Sequence, residues 1–214
     1  MQVAVVKYNA GNIFSVMNAL KRLGVEPLLT DQPEELRQAD RVIFPGQGEA
    51  SSAMAYLHEH GLDEVIRSLR QPVLGICIGQ QLLCKHSEEG NTDCLGIFDA
   101  EVKRFHPTRH EDKVPCMGWN KLEPTPTPPQ GRGYVDPLFR NVLDIENPSF
   151  GEAQGWAYFV HSYYVPLCEE TIASADYILP YSAALHKDNF YATQFHPEKS
   201  GAVGERIIRN FLEL

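Results

Sequence analysis

Two short segments of this sequence carry residue types that could break an amide or ester bond. The first is Pro72-Val73-Leu74-Gly75-Ile76-Cys77-Ile78-Gly79-Gln80-Gln81-Leu82-Leu83. An apolar run of strand length ends at Cys77, and a helical pattern starts directly after it. A nucleophile on so sharp a strand-to-helix turn is presented at the edge of a sheet, and small neighbours must let the backbone bend. Gly75 and Gly79 supply that room. The N-terminus of the following helix favours negative charge, which raises the thiolate fraction. Taken alone, the segment is equally compatible with a small buried cysteine in a strand.

The second segment is Ala192-Thr193-Gln194-Phe195-His196-Pro197-Glu198. A cysteine nucleophile needs a base that takes its proton and returns one to the leaving group, and that base needs an orienting acceptor. His196 and Glu198, separated by the rigid Pro197 at a strand end, can supply both. By itself this would read as a surface His-Pro turn with a solvated glutamate. The other histidines (His58, His60, His86, His106, His110, His161 and His186) have no adjacent acid in a comparable setting. His106-x-x-x-His110 with Cys94 and Cys116 lacks the close cysteine pair of a zinc site, so no metal is expected. Pro45-Gly46-Gln47-Gly48 lacks the Lys-Ser/Thr that completes a phosphate loop.

The elements that must position these residues alternate in the first half. Val3–Val6 reads as a buried strand. Asn12 can cap a helix with Ile13, Val16, Met17 and Leu20 on one face, and Gly24 is placed to end it. Pro27–Thr30, Arg41–Phe44 and Pro72–Ile76 read as strands, Pro33 opens a short helix, and Leu62, Val65, Ile66 and Leu69 repeat at helical spacing. Such βαβ units imply a parallel sheet with helices on both faces, and ligands bind at the carboxyl ends of its strands. In the second half, Phe98–Phe105, Met117–Leu122, Ala157–Val165, Thr171–Tyr177, Ser182–His186 and Phe190–Phe195 read as strands, several antiparallel. Lys187-Asp188-Asn189 reads as a hairpin turn, and Val203, Ile207 and Phe211 mark a closing helix. The expectation is one α/β domain over residues 1–214, with a central, mostly parallel sheet flanked by helices and additional antiparallel strands.

A chain of 214 residues suits one large core. A net charge of -9 argues against a nucleic-acid backbone as partner. No apolar stretch approaches the ~20 residues that cross a bilayer, and the N-terminus lacks the pattern of a signal peptide. Five scattered cysteines, an odd number, suit reduced thiols in the cytoplasm better than a disulfide framework.

Together, Gly75-x-Cys77-x-Gly79-x-Gln81 and the distant His196-Pro197-Glu198 resemble the class I, or triad, glutamine amidotransferases. Tyr8-Asn9-Ala10-Gly11-Asn12, Pro45–Gly48, Pro115-Cys116-Met117-Gly118-Trp119-Asn120 and Tyr158–Tyr163 are similar to one branch of that family, and the likeness spans nearly the whole chain. The branch releases ammonia for a (β/α)8-barrel cyclase that forms imidazole glycerol phosphate and an aminoimidazole ribotide in histidine biosynthesis. The resemblance implies that Cys77 attacks the glutamine side-chain amide, that His196 is base and then acid, and that Glu198 orients it. It implies that N–H groups of Ile78 and of the turn at Gly46, Gln47 and Gly48 hold the oxyanion, and that Gln81, His161, Ser162 and Tyr163 bind substrate. It places Asn12, Trp119 and Lys199 at the cyclase interface, and it implies no cofactor.

Two features depart from the family pattern. Gln47 and Ala50 stand where a small aliphatic residue and a later aromatic are common, and the stretches 123–133 and 144–155 look long. The glycines flanking residue 47 would permit a peptide flip, which suggests a free chain that rests with this donor misdirected. Competing readings are a glutaminase for the pyridoxal phosphate, anthranilate or guanylate pathways, and a catalytically silent subunit on the same fold.

Overall fold

The computed structural model describes residues 1–8, 13–46, 48–124, 135–143 and 155–214. Asn12, Gln47 and most of the two long stretches lie outside the described residues. The first half contains β1 (Val3–Val6), α1 (Ile13–Arg22), β2 (Leu28–Thr30), α2 (Pro33–Gln38), β3 (Arg41–Phe44), α3 (Ala50–Glu59), α4 (Leu62–Ser68), β4 (Val73–Ile76) and α5 (Ile78–Leu83). Short strands follow: β5 (His86–Ser87), β6 (Thr92–Asp93), β7 (Glu101–Arg104), β8 (Cys116–Lys121) and β9 (Glu123–Pro124). The chain ends with β10 (Trp156–His161), β11 (Tyr163–Tyr164), β12 (Thr171–Tyr177), β13 (Leu179–Lys187), β14 (Phe190–Thr193) and α6 (Gly201–Leu212).

The main sheet has the order β2-β1-β3-β4-β14-β13-β12-β9. Its pairings from β2 to β14 are parallel, and those from β14 to β9 are antiparallel. The strands read as unbroken apolar runs because both faces are covered. Val3, Val5, Ile43, Leu74 and Ile76 enter the core shared with α1 and α6. Their neighbours Ala4, Val6, Val42, Phe44 and Val73 enter the core shared with α2, α3, α4 and α5. Alternate side chains of a strand point to opposite faces, so each short strand serves both cores.

Several boundaries differ from the expectation. Helix α3 was not legible, because Ala50, Ser51, Ser52 and Ala53 are all small and blur its apolar stripe; Met54 and Leu57 face the core. The run 157–165 divides at Ser162: β10 pairs with β8 in a ribbon, whereas β11 joins β7 in a smaller sheet. The run 98–105 keeps only four residues as strand, with Phe98 and Phe105 buried at its flanks. Cys84, the residue that ends α5, is buried in the core.

The last core strand does most to build the site. Although it arrives from an antiparallel hairpin, β14 lies parallel to β4, with Thr193 opposite Ile76 and Ala192 opposite Gly75. The residues after β4 and β14 therefore leave the sheet side by side, at its carboxyl edge. Cys77 follows one strand and His196 the other.

Candidate active site

Cys77 adopts φ 55 and ψ -108, a backbone conformation rare for a residue with a side chain. Its N–H is held by the Thr193 carbonyl at 2.7 Å, and its carbonyl accepts from the Gln80 N–H at 3.0 Å, the first turn of α5. The bend is possible only because the next turn packs directly on the sheet. A Cβ at Gly79 would fall 2.2 Å from the Phe44 carbonyl oxygen, and one at Gly75 would meet Gly79 backbone at 2.9 Å. Strain of this kind persists only where surrounding structure fixes it.

The second arm is held by hydrogen bonds. The His196 N–H donates to the Tyr158 carbonyl at 2.9 Å, and the Ser200 hydroxyl donates to the His196 carbonyl at 2.6 Å. That hydroxyl also accepts from the Tyr158 N–H at 2.9 Å, tying the turn to β10. Helix α6 presses close from behind, since a Cβ at Gly204 would fall 1.8 Å from the Pro197 carbonyl oxygen.

His196 Nδ1–H donates to Glu198 Oε1 at 2.8 Å, and the two side chains are only 1% and 3% exposed. Burial pulls the imidazole pKa down, but Cys77 and then Glu198 outweigh it and raise His196 to about 10. Nε2 of His196 is buried with no hydrogen-bond partner among the described residues. The Cys77 thiol contacts the Val160 carbonyl and the Gln194 side-chain amide, each at 3.8 Å. A thiol beside an imidazole that favours its proton can lose that proton to Nε2 and attack a carbonyl carbon, forming a thioester.

The two arms meet in a cavity of about 390 Å³, lined by Gly48, Cys77, Ile78, Gln81, Glu89, Pro115, Val160, His161, Ser162, Tyr163 and His196. Its size falls in the ~300–1,000 Å³ range of small-molecule sites. Of the residues expected from the sequence, Cys77, His196, Ile78, Gly48, Gln81, His161, Ser162 and Tyr163 therefore surround one space, and Glu198 stands behind His196. Gly46 does not line it and packs instead against Ile78, Gly79 and Tyr8. Gln47 and Asn12 lie outside the described residues. Trp119 is 55% exposed on the ribbon, edge-on to Tyr158, so it is not a core residue. Lys199 is partly exposed beside Glu198 at a separate cavity.

His161 and His196 share the cavity but differ in charge. Burial drives the His161 pKa down to about 4, against the pull of the Tyr163 carbonyl, which accepts from its Nδ1–H at 2.7 Å. His161 is thus neutral, with a bare Nε2 that is buried and unpartnered among the described residues. Gln81 is fixed by donating to the Tyr163 carbonyl at 3.2 Å and to Gln194 Oε1 at 3.0 Å.

Two site residues escaped the sequence reading. Glu89 is the cavity's carboxylate; it accepts from the Ala50 N–H at 2.9 Å, and burial raises its pKa. Nothing in Glu88-Glu89-Gly90 distinguishes it from a solvated pair of acids. Gln194 was visible only as a polar residue inside a buried strand end, two positions before His196. Among the described residues no group of His, Cys, Asp and Glu could hold a metal ion, and no helix is long and apolar enough to cross a membrane.

The chain matches the glutamine amidotransferase class-I family over residues 4–214. It is 60% identical over 214 residues to the imidazole glycerol phosphate synthase subunit HisH of Bacteroides fragilis (strain YCH46), covering all of both chains. It is 40% identical over 215 residues to the HisH subunit of Escherichia coli (strain K12), again covering all of both. Among solved structures it resembles a glutamine amidotransferase with TM-score 0.68 at 23% identity, covering 100% of this chain and 98% of the other. It also resembles a glutamine amidotransferase from Thermotoga maritima, with TM-score 0.61 at 17% identity, covering 100% and 83%. At those identities the structures speak for the fold alone, whereas the full-length sequence match places this chain in the class-I glutamine amidotransferase family.

Proposed function

We propose that this chain is the glutaminase subunit of an imidazole glycerol phosphate synthase, and that all of residues 1–214 act as one amidotransferase domain. The observation that carries the reading is one cavity into which a strained Cys77 and a Glu198-backed His196 both open. The 60% full-length identity to a HisH subunit supports the choice of pathway, histidine biosynthesis, over other glutaminase partners.

In this reading Cys77 Sγ, as thiolate, attacks the side-chain carbonyl carbon of glutamine. The carbonyl electron pair moves to oxygen, where the Ile78 N–H and donors of the Gly46–Gly48 turn receive it; each such donor is worth roughly 3–4 kcal/mol. The tetrahedral adduct collapses as His196 Nε2–H protonates the departing nitrogen, giving ammonia and a γ-glutamyl thioester. His196 then takes a proton from water, which attacks the thioester and releases glutamate and the thiolate. Glu198 keeps the proton on Nδ1, so that Nε2 does the transfers. The neutral, proton-accepting His161, with Gln81, Ser162 and Tyr163, positions the substrate, and the Glu89 carboxylate suits its ammonium group.

Ammonia is delivered to a cyclase subunit, read here as a (β/α)8 barrel, with Asn12, Trp119 and Lys199 on the shared surface. The exposed Trp119, next to Met117 at 65% exposure, suits an interface anchor. Five free thiols suit a reducing, cytoplasmic setting. The test is to mix the chain with the cyclase and, separately, with acceptor enzymes of other glutamine pathways, and to follow glutamate. Stimulation by the cyclase and its nucleotide ligand alone is expected; stimulation by a different acceptor would overturn the assignment.

A further inference from the structure

Tyr8, two residues past β1, lies beneath the site and has no part in the mechanism above. Its ring is buried and tilts against Phe44, with centroids 5.2 Å apart. Its hydroxyl donates a hydrogen bond to the carbonyl of Pro45, the first residue of the turn after β3. The next residue, Gly46, is wedged in place. A Cβ there would fall 1.8 Å from Ile78 Cγ2, 2.9 Å from the Gly79 nitrogen and 2.9 Å from the Tyr8 hydroxyl. Gly46 has no side chain of its own, so the hydroxyl and the first turn of α5 are what hold it.

We propose that Tyr8 is a positioning residue for glutamine hydrolysis: its hydroxyl holds the Pro45–Gly46 peptide and thereby fixes the base of the turn that receives the oxyanion. The inference rests on the glutaminase reading. A peptide unit is planar, so holding its carbonyl also sets the direction of the Gly46 N–H. The far end of the turn is anchored independently, because the Glu49 carboxylate accepts from the Ser51 and Ser52 N–H groups at 3.1 and 2.9 Å and caps α3. Burial, and then the nearby Cys77, push the Tyr8 phenol pKa well up, so the hydroxyl remains a donor across the working range.

The test is Tyr8→Phe in the full chain, assayed with its liganded cyclase beside wild type and Cys77→Ala. The substitution keeps the ring and removes one donor. A donor lost from the oxyanion itself costs about a hundred- to a thousandfold, and Tyr8 acts one step removed, so kcat should fall about tenfold with KM within about twofold. Affinity for an aldehyde analogue of glutamine, which forms a tetrahedral adduct with Cys77, should fall in parallel. Incorporating 4-aminophenylalanine at position 8 restores a donor and should rescue kcat. If Tyr8→Phe folds poorly, 4-fluorophenylalanine, which fills the space without donating, makes the same comparison. Unchanged kcat and aldehyde affinity in the variant that lacks the donor would overturn the positioning role, whatever its thermal stability. Hydrolysis by wild type and not by Cys77→Ala tests the glutaminase reading separately.

Discussion

Among the histidine–carboxylate pairs of the described residues, the two shortest lie at the β13–β14 hairpin and share nearly the same geometry. His196 Nδ1 meets Glu198 at 2.8 Å, and His186 Nδ1 meets Asp136 at 2.7 Å. Both pairs are anchored near strand ends of the same hairpin, and both raise their imidazole pKa. They differ at the other nitrogen. Nε2 of His186 is occupied by the Asp188 carbonyl at 2.9 Å, and the ring stacks on Tyr191 with centroids 3.9 Å apart. Nε2 of His196 is left open to the cavity beside Cys77. A histidine with both nitrogens engaged is a staple, here joining the hairpin to the segment that Asp136 caps. One with a free buried nitrogen can move a proton.

That contrast can be broken by substitution. His196→Ala should lower glutamine turnover about 10,000-fold or more. His186→Ala should leave turnover within about twofold. Steady-state kinetics on both variants check this, and a comparable loss of activity in His186→Ala would dissolve the distinction. Glu198→Gln should be roughly a hundredfold less damaging than His196→Ala, because the imidazole stays and loses only its charged partner. The alkaline limb of its rate profile should also move to lower pH, since one cause of the raised His196 pKa has gone. A pH–rate series on that variant reads the shift.

The staple should show itself in stability. His186→Gln leaves the Asp136 carboxylate buried with fewer donors and should cost about 1–3 kcal/mol at pH 5.5–6. Because the folded His186 pKa lies above its unfolded value of about 6.5, the stabilisation is fully present below that value. It fades as pH rises through the folded pKa. Denaturant unfolding of wild type and variant at pH 5.5 and 9 should therefore give the larger difference at pH 5.5.

The sequence made one of these pairs legible and hid the other. Glu198 is two positions from His196, and the rigid Pro197 between them announces the geometry. Asp136 is 50 positions from His186, so a search for an acid adjacent in sequence could not find this pair. His58 and His86 likewise meet Asp63 and Asp93. The same division holds for the fold. Apolar strands and the glycines around Cys77 are local signals, and the parallel core followed from them. The parallel pairing of β14 with β4, which sets His196 beside Cys77, is a long-range contact that no window of sequence contains. Glu89 was hidden for a related reason: its burial comes from packing near α3, a helix whose small residues left no period to read.

Glutamine hydrolysis at this site requires that Cys77 Sγ take the glutamyl group. The direct measurement is rapid quenching of the chain with glutamine and liganded cyclase, followed by mass spectrometry of its peptides. A γ-glutamyl adduct on the peptide that carries Cys77, formed and lost at the rate of glutamate release, is the expected result. Glutamate release at an undiminished rate from Cys77→Ala, with no adduct in wild type, would contradict it.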